Sequence, residues 1–177
     1  MNGFNGLNGF NGLLDMRLNT LIRRVERVRD DMVLYVKAAC EKEKDAIVDL
    51  NRAQLARGLN AYGELMNGGE YAPTSIYRRS MKGLPIDHVY LRITGDLQDG
   101  MYVEFGETGF NVKTTDWKQE LVDYTMKTGY WPTGVSPDDE VPEYGPVFGL
   151  DEVSRGILMW RIRPRVAVSI RNRLLKG

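Results

Sequence analysis

The sequence is poor in the residues that most often build catalytic and metal centres. Among its 177 residues there is one cysteine, Cys40, and one histidine, His88. A single cysteine excludes an internal disulfide, and one residue of each kind cannot form the usual His/Cys ligand sets for zinc. Because no base or metal ligand is spaced around it, Cys40 is expected to be a buried, inert thiol. We expect no metal and no other cofactor.

Long apolar runs and an excess of one charge are also missing. No stretch of about 18 uncharged apolar residues occurs, so no transmembrane helix is predicted. The N-terminus lacks the basic and apolar regions of a signal peptide. The formal net charge is +0, from 24 basic and 24 acidic residues, which gives no overall reason to expect nucleic acid or membranes as partners. We expect a globular protein kept in a reducing cytosol.

Common catalytic motifs are missing from the sequence as well. Neither the phosphate-binding Gly-x-x-x-x-Gly-Lys pattern nor the dinucleotide-binding Gly-x-Gly-x-x-Gly pattern occurs. His88 has only Asp87 beside it, so a surface or hydrogen-bonded histidine is expected. Asp138, Asp139 and Glu140 could bind a hard cation, but they lack the alternating ligands and the fixed glycine of a calcium loop. An enzyme is not expected, although a hydrolase built on His88 stays open.

A long helix is predicted over residues 15–59, which contain no proline and no glycine before Gly58. Its apolar residues recur at steps of three and four, which puts one apolar stripe on one face of a helix. About 40 residues would span roughly 60 Å if unbroken. We therefore expect a break, or an end that projects and packs on another subunit. The Glu41–Asp45 cluster interrupts the stripe and is the predicted break.

The N-terminus carries a repeat, because residues 2–13 read Asn-Gly-Phe or Asn-Gly-Leu four times. Gly and Asn favour turns and resist helix formation, while Phe and Leu keep the segment adhesive. Residues 1–14 are predicted to form an arm that is disordered or lies against a neighbour, unless the repeat is an expansion of no consequence. In a docking arm, Phe4, Leu7 and Phe10 are the candidate subunit-interface residues.

Three β-strands are predicted in the middle of the chain, at His88–Thr94, Met101–Phe105 and Phe110–Thr114. Their spacing, with Gly106–Gly109 as a turn, indicates an antiparallel meander. One face of this sheet needs cover, and the long helix is the expected cover. A short helix over Ser75–Lys82, closed by Gly83, is predicted before the strands.

The C-terminal part is predicted to be helical around a long loop at residues 129–147. Trp117–Lys127 has the apolar pattern of a short helix, and Asp151 is a plausible N-cap for a terminal helix. Pro164 should stop or kink that helix. Residues 166–170 fit a helix or a strand, with helix favoured. Together these elements predict an α+β fold in which residues 15–177 form one domain, with a long N-terminal helix packed on a small antiparallel β-sheet.

Charge is segregated in the C-terminal third. Residues 137–152 contain six acids and no base, namely Asp138, Asp139, Glu140, Glu143, Asp151 and Glu152. Residues 153–177 contain seven bases and no acidic side chain, namely Arg155, Arg161, Arg163, Arg165, Arg171, Arg173 and Lys176. The two runs could pair within the fold or simply face solvent. They could instead meet across subunits of a ring, with Asp138, Asp139, Glu140, Glu143, Arg161, Arg163 and Arg165 as interface candidates. The basic run could also contact a phosphate backbone.

Several stretches resemble one known family. They are Gln54-Leu55 with Gly58, residues 71–85, Leu91–Leu97 with Thr94-Gly95, and Phe148-Gly149-Leu150-Asp151-Glu152 followed by Pro164. Over about residues 35–177 the chain is similar to proteins of tailed bacteriophages of gut bacteria in the virion morphogenesis, tail-completion and minor-tail group. The N-terminal repeat, the early helix and the loop at residues 129–146 depart from that pattern.

The resemblance implies an α+β structural protein of the virion, not an enzyme. Such a subunit would assemble with itself as a ring at the head–tail junction, or neck, and would contact portal or adaptor proteins and tail-tube proteins. It would be assembled in the host cytoplasm, and contact with packaged DNA is conceivable. The alternative left open by the residues is a nucleic-acid-binding module that uses the basic C-terminal segment.

Overall fold

The structure is a computed structural model that describes residues 6–71, 73–89, 91, 96–115, 119–120 and 144–176. Its fold is α+β, as predicted. The helices are α1 (Gly6–Asp30), α2 (Met32–Glu41), α3 (Lys44–Ala56), α4 (Pro73–Met81), α5 (Asp96–Asp99) and α6 (Glu152–Lys176), with a 3₁₀ turn at Met66–Gly69. The strands are β1 (Met101–Phe105) and β2 (Phe110–Thr114).

The chain divides into two compact units. One contains residues 1–40 and 162–177, and the other contains residues 41–161. Compact units need not be separate domains, so the single domain predicted for residues 15–177 stays a prediction.

The first unit joins α1 and α2 to the C-terminal half of α6. Arg24 donates a 3.1 Å hydrogen bond to the carbonyl oxygen of Leu174, in the last turn of α6. Arg173 forms an ion pair with Asp31 at 3.1 Å, and the Tyr35 hydroxyl donates to the same carboxylate. The arginine at the C-terminal end of α6 is favourable because the last carbonyls of a helix carry partial negative charge.

The predicted break in the long helix is confirmed. α2 ends at Glu41 and α3 begins at Lys44, inside the Glu41–Asp45 cluster. A second, unpredicted interruption lies at Asp31. It is shallow, because the hydrogen bonds from Asp31 N to the Arg27 carbonyl and from Tyr35 N to the Asp31 carbonyl keep the helical spacing.

The expectation that the N-terminal repeat resists helix is wrong for its described part. α1 already begins at Gly6, so residues 6–13 are helical. Adding a residue to an existing helix is much easier than nucleating one, and the favourable helical sequence that follows provides the nucleus. The glycines still destabilise this part of the helix, because each glycine in a helix interior is about 1 kcal/mol less favourable than alanine.

The second unit is built on a β-hairpin covered by α3. β1 pairs with β2 in antiparallel register, with Met101 opposite Thr114, and the turn closes through Gly106 N–H to the Gly109 carbonyl at 2.9 Å. α3 packs on β1, which confirms that the long helical run covers the sheet. The fully buried apolar side chains of this unit are Ile47, Leu55, Met66, Val89 and Val147.

The third predicted strand is not seen where the structure describes it. His88, Val89 and Leu91 have no strand partner in the described chain, and the rest of that stretch lies outside the described residues. His88 Nε2 lies 2.8 Å from the carbonyl oxygen of Ala56, and Val89 is fully buried. The described residues His88 and Val89 therefore lie against the C-terminal end of α3.

The glycine that was expected to close the short helix does so. α4 ends at Met81, and Gly83 has a φ of +62°. Gly83 N–H donates to the Ser80 carbonyl and Leu84 N–H donates to the Arg79 carbonyl, both at 3.0 Å. These two bonds form a Schellman motif, which requires a left-handed residue that glycine supplies without strain.

Pro164 lies inside α6, and the residues after it are helical. The helix runs from Glu152 through Lys176, so of the predicted stop or kink the stop is not found, and the kink stays a prediction. The helical alternative for residues 166–170 is confirmed. A proline inside a helix costs roughly 3 kcal/mol, chiefly through one lost hydrogen bond and a clash with the preceding turn. Pro164 is exposed, so water can reach the Trp160 carbonyl that loses its donor. The contacts of the following turns with α1 and α2 hold the rest of the helix.

Two further predictions fall mainly outside the described residues. Of the predicted helix at Trp117–Lys127, the structure describes Gln119 and Glu120, both helical. Of the loop at residues 129–147, it describes residues 144–147, which are irregular and include the buried Tyr144 and Val147.

Candidate functional site

The structure locates half of the predicted interface residues. Arg161, Arg163 and Arg165 lie on α6, and Leu7 and Phe10 lie on α1. The other half, Phe4, Asp138, Asp139, Glu140 and Glu143, lies outside the described residues.

An exposed apolar face on α6 is the surface that sequence analysis missed. Val153, Ile157 and Trp160 follow one another at steps of four and three residues, and 61%, 42% and 75% of their respective surfaces are exposed. Arg161 borders them. We call these four residues the α6 face. The opposite side of the same stretch carries the buried Ser154 and Leu158. The helix is therefore apolar on two sides, and among the described residues only the side of Ser154 and Leu158 is buried.

The first turn of α6 is fixed by Asp151. Its carboxylate accepts a 2.7 Å hydrogen bond from Ser154 N–H, and its carbonyl accepts from Arg155 N–H, which confirms the predicted N-cap. Burial alone would raise the pKa of Asp151. The hydrogen bonds from Ser154 and the charges of Arg57 and Arg155 outweigh that effect and lower the pKa below its usual value.

A buried amide network ties α6 to α3. Gln54 Oε1 accepts a 2.8 Å hydrogen bond from Asp151 N–H, and Gln54 Nε2 donates to the Asn60 carbonyl, also at 2.8 Å. Asn51 Nδ2 donates to the Gly149 carbonyl at 2.7 Å. Gln54 and Asn51 are fully buried. Because buried polar groups are costly unless paired, this network specifies how the α6 N-terminus sits on α3.

The loop before α6 fits closely around Asn60. The Asn60 side-chain oxygen accepts hydrogen bonds from the backbone N–H groups of Tyr62 and Glu64. A Cβ added at Gly145 would lie 2.5 Å from Asn60 Nδ2. The Ala61 N–H also donates to the Pro146 carbonyl at 2.7 Å. The loop that leads into α6 is thus closely packed next to the helix that carries the α6 face.

A second buried polar cluster lies around Arg79. Arg79 is 3% exposed. Its guanidinium donates from Nε to the Pro85 carbonyl at 2.8 Å and lies 4.5 Å from the centre of the Tyr71 ring. Burial, reinforced by nearby Tyr71, raises the pKa of Tyr144 to about 12. Tyr144 therefore stays neutral near pH 7 and is poorly suited to proton transfer.

Two bases of the C-terminal run form ion pairs with acids outside the acidic run. Arg161 pairs with Glu43 at 3.6 Å, and Arg173 pairs with Asp31. Asp151, from the acidic run, pairs instead with Arg57 at 3.3 Å. Arg161 and Glu43 line a shallow groove of about 400 Å³ whose other walls are Lys42, Asp45, Ala46, Asp49 and Leu50.

His88 is held as a helix cap. Its Nε2 approaches the Ala56 carbonyl at the end of α3, and its Nδ1 lies 2.8 Å from Asp87 Oδ2. The hydrogen-bonded histidine that the sequence predicted is confirmed. In the part of the chain that the structure describes, no three His, Cys, Asp or Glu side chains converge to hold a metal ion. None of the described helices has an apolar stretch long enough to cross a bilayer.

Two of the stretches that carry the family resemblance meet in the structure. Gln54 belongs to the Gln-Leu-x-x-Gly segment, and its side chain contacts Asp151, which follows Phe148-Gly149-Leu150. Comparison of the whole chain with protein-family models, curated proteins and solved structures finds no match.

Proposed function

We propose that the protein is a structural virion component of a tailed bacteriophage. It acts as a ring-forming neck or tail-completion subunit at the head–tail junction. Its partners are further copies of itself, portal or adaptor proteins, and tail-tube proteins. The family resemblance of residues 35–177 is the reason to propose this type of assembly. The α6 face is the surface that we propose binds the neighbouring subunit.

The observation that carries the proposal is the exposure of Trp160 beside Ile157 and Val153. Tryptophan and arginine are the residues that most often dominate the energy of protein interfaces, and here Arg161 adjoins the tryptophan. An apolar surface of this kind on a firmly anchored helix is typical of a docking surface. Arg163 and Arg165 follow on the same helix, where they can fix the register of a neighbour by charge.

The proposal is tested by mass measurement and by locating the protein in particles. Light scattering should detect a ring or a complex when the protein is mixed with its portal, adaptor and tail-tube proteins. Electron micrographs of labelled particles should place it at the neck. The Trp160→Ala variant should lose assembly, whereas Met159→Ala, which removes another exposed side chain of α6, should not. A chain that stays monomeric with all of those partners would overturn the proposal.

A second candidate is a nucleic-acid-binding module. The observation in its favour is that six arginines of α6 are exposed: Arg155, Arg161, Arg163, Arg165, Arg171 and Arg173. Against it, Arg161 and Arg173 already pair with Glu43 and Asp31. Binding to duplex DNA should weaken steeply with salt and should be lost in Arg163→Ala/Arg171→Ala. The absence of binding at low salt would eliminate this function.

A further inference from the structure

α1 carries a heptad repeat that runs along its whole length. In the sequence, one row of residues recurs by steps of four and three: Leu7, Asn11, Leu14, Leu18, Leu21, Val25 and Val28. The same spacing continues through α2 with Met32, Tyr35 and Ala39. This is the a/d pattern of a left-handed coiled coil, with Asn11, Leu18 and Val25 at a positions and the leucines 7, 14 and 21 at d positions. We call this row the α1 seam.

Along the part of the seam whose side chains the structure describes, burial begins at Val28. Val28 is 8% exposed and Ala39 is 4% exposed, whereas Leu18, Leu21 and Val25 are 53–55% exposed. The change coincides with the end of α6, because the Leu174 carbonyl lies against Arg24. Leu18, Leu21 and Val25 therefore form an exposed apolar row on α1, in the part of the helix before its contact with α6.

We propose that a second copy of this chain fills the exposed part of the seam, so that two α1 helices form a short parallel coiled coil. Asn11 favours this occupant. A single asparagine at an a position is tolerated in a coiled coil when it faces another polar group, and it sets the register. In a parallel pair the a positions face each other, so a second copy places its own Asn11 opposite.

The glycines of the repeat fit the same arrangement. Gly6, Gly9 and Gly12 fall at the c, f and b positions of the heptad, outside the a and d positions that define the seam. They leave the seam intact but weaken the isolated helix by about 1 kcal/mol each relative to alanine. The start of α1 therefore gains most from a partner, and its helix and its self-association are coupled.

Charge limits how far the coil extends. In a parallel pair each g residue faces the e residue five positions further on in the other copy. Arg24 would then face Arg29, a repulsive pair, at the point where Arg24 already binds Leu174. This repulsion ends the coil at about Val25, so the dimer is short and its Kd is expected to be on the order of 10 μM. It is separate from the ring contacts proposed above and stands without them.

The first experiment measures self-association of the full chain by sedimentation equilibrium up to high micromolar concentration. A monomer–dimer equilibrium is expected. Leu18→Glu should raise the Kd by at least about tenfold. Asn19→Glu, an exposed change next to it but off the seam, should not. A chain that remains monomeric throughout, or a dimer that survives Leu18→Glu, would overturn the proposal.

The second experiment determines the orientation, using cysteines in a Cys40→Ala background. Leu14→Cys and Leu21→Cys, one heptad apart, should each form an intermolecular disulfide under mild oxidation. An antiparallel pair can bring only one of these positions beside its own copy, so crosslinking of one variant alone would overturn the parallel arrangement. Arg23→Cys, on the outer side of the helix, should crosslink much more slowly.

Discussion

Gln54 and Asp151 lie 97 residues apart in the chain and are joined by a 2.8 Å hydrogen bond from the Asp151 N–H to Gln54 Oε1. The same amide reaches the Asn60 carbonyl through Nε2. One buried side chain therefore satisfies groups from two distant loops and orients the helix that carries the α6 face.

Replacing Gln54 by leucine should destabilise the protein by about 2 kcal/mol. The change keeps the volume but leaves the buried Asp151 N–H without a partner, at about 1–3 kcal/mol. The Asn60 carbonyl loses one of its two hydrogen bonds and keeps the one from the Gly63 N–H. Urea unfolding would measure the loss. Asn172→Leu, the same type of change at an exposed position of α6, should shift stability by less than about 0.5 kcal/mol. Equal effects of the two variants would contradict the role given to Gln54.

The charge of Asp151 should make stability depend on pH in the acid range. Its folded pKa is lowered from the usual 3.8, so its contribution is fully present above that value and is lost as the pH falls through the lower folded pKa. Asp151→Asn retains a capping oxygen but removes the charge. The variant should be less stable than the unmodified protein by about 1–2 kcal/mol at pH 7.

The difference in unfolding free energy between the unmodified protein and Asp151→Asn should become smaller below about pH 4, where the carboxylate begins to be protonated in the unfolded chain. Denaturant unfolding of both proteins at several pH values would measure this difference. A difference that stayed constant down to pH 2 would mean that the carboxylate contributes through its shape and not through its charge.

Gly145→Ala should cost more stability than Gly83→Ala, although the two glycines have nearly the same φ angle. Their φ angles are +63° and +62°. An alanine in this left-handed region costs about 1–2 kcal/mol at either position. At Gly83 nothing lies within 4 Å of the added Cβ, whereas at Gly145 it meets the fixed Asn60 amide.

We expect a loss of about 3 kcal/mol for Gly145→Ala and about 1 kcal/mol for Gly83→Ala. Thermal or urea unfolding would measure both losses. The difference between them gives the cost of the clash with Asn60, because an alanine at a positive φ is strained at both positions. Equal losses would show that Asn60 moves aside freely, which its two accepted backbone hydrogen bonds oppose.

Pro164→Ala should stabilise α6 by about 1–3 kcal/mol, because it restores the missing hydrogen-bond donor in the middle of the helix. Gly156→Ala provides the comparison. Its added Cβ meets nothing within 4 Å, so only the propensity gain of about 1 kcal/mol is expected. Circular dichroism and urea unfolding would report both. If Pro164→Ala gained no more than Gly156→Ala, the proline would have no measurable cost here.

Local signals predicted much of the fold. The turn between α2 and α3, the cap at Asp151 and the closing glycine at Gly83 each depend on a few neighbouring residues, and each is found in the structure. The β1–β2 hairpin was predicted for the same reason, since its strands and its turn are contiguous.

Long-range contacts account for what sequence reasoning missed. The pattern at His88–Thr94 fits a strand, yet His88 and Val89 are fixed by the distant end of α3. Nothing in the sequence around Gln54 indicates that its amide is buried. The exposure of Trp160 was equally hidden, because an apolar residue on a helix is ordinarily assigned to the core.

Cys40 gives the molecule a built-in reporter of local opening. Its thiol is 6% exposed in the last turn of α2, two residues before the turn that leads into α3, and burial raises its pKa. A thiol-reactive dye should modify the native protein only as fast as that junction fluctuates. The labelling rate, compared with the rate in denaturant, would time the motion of the α2–α3 turn without any engineered probe.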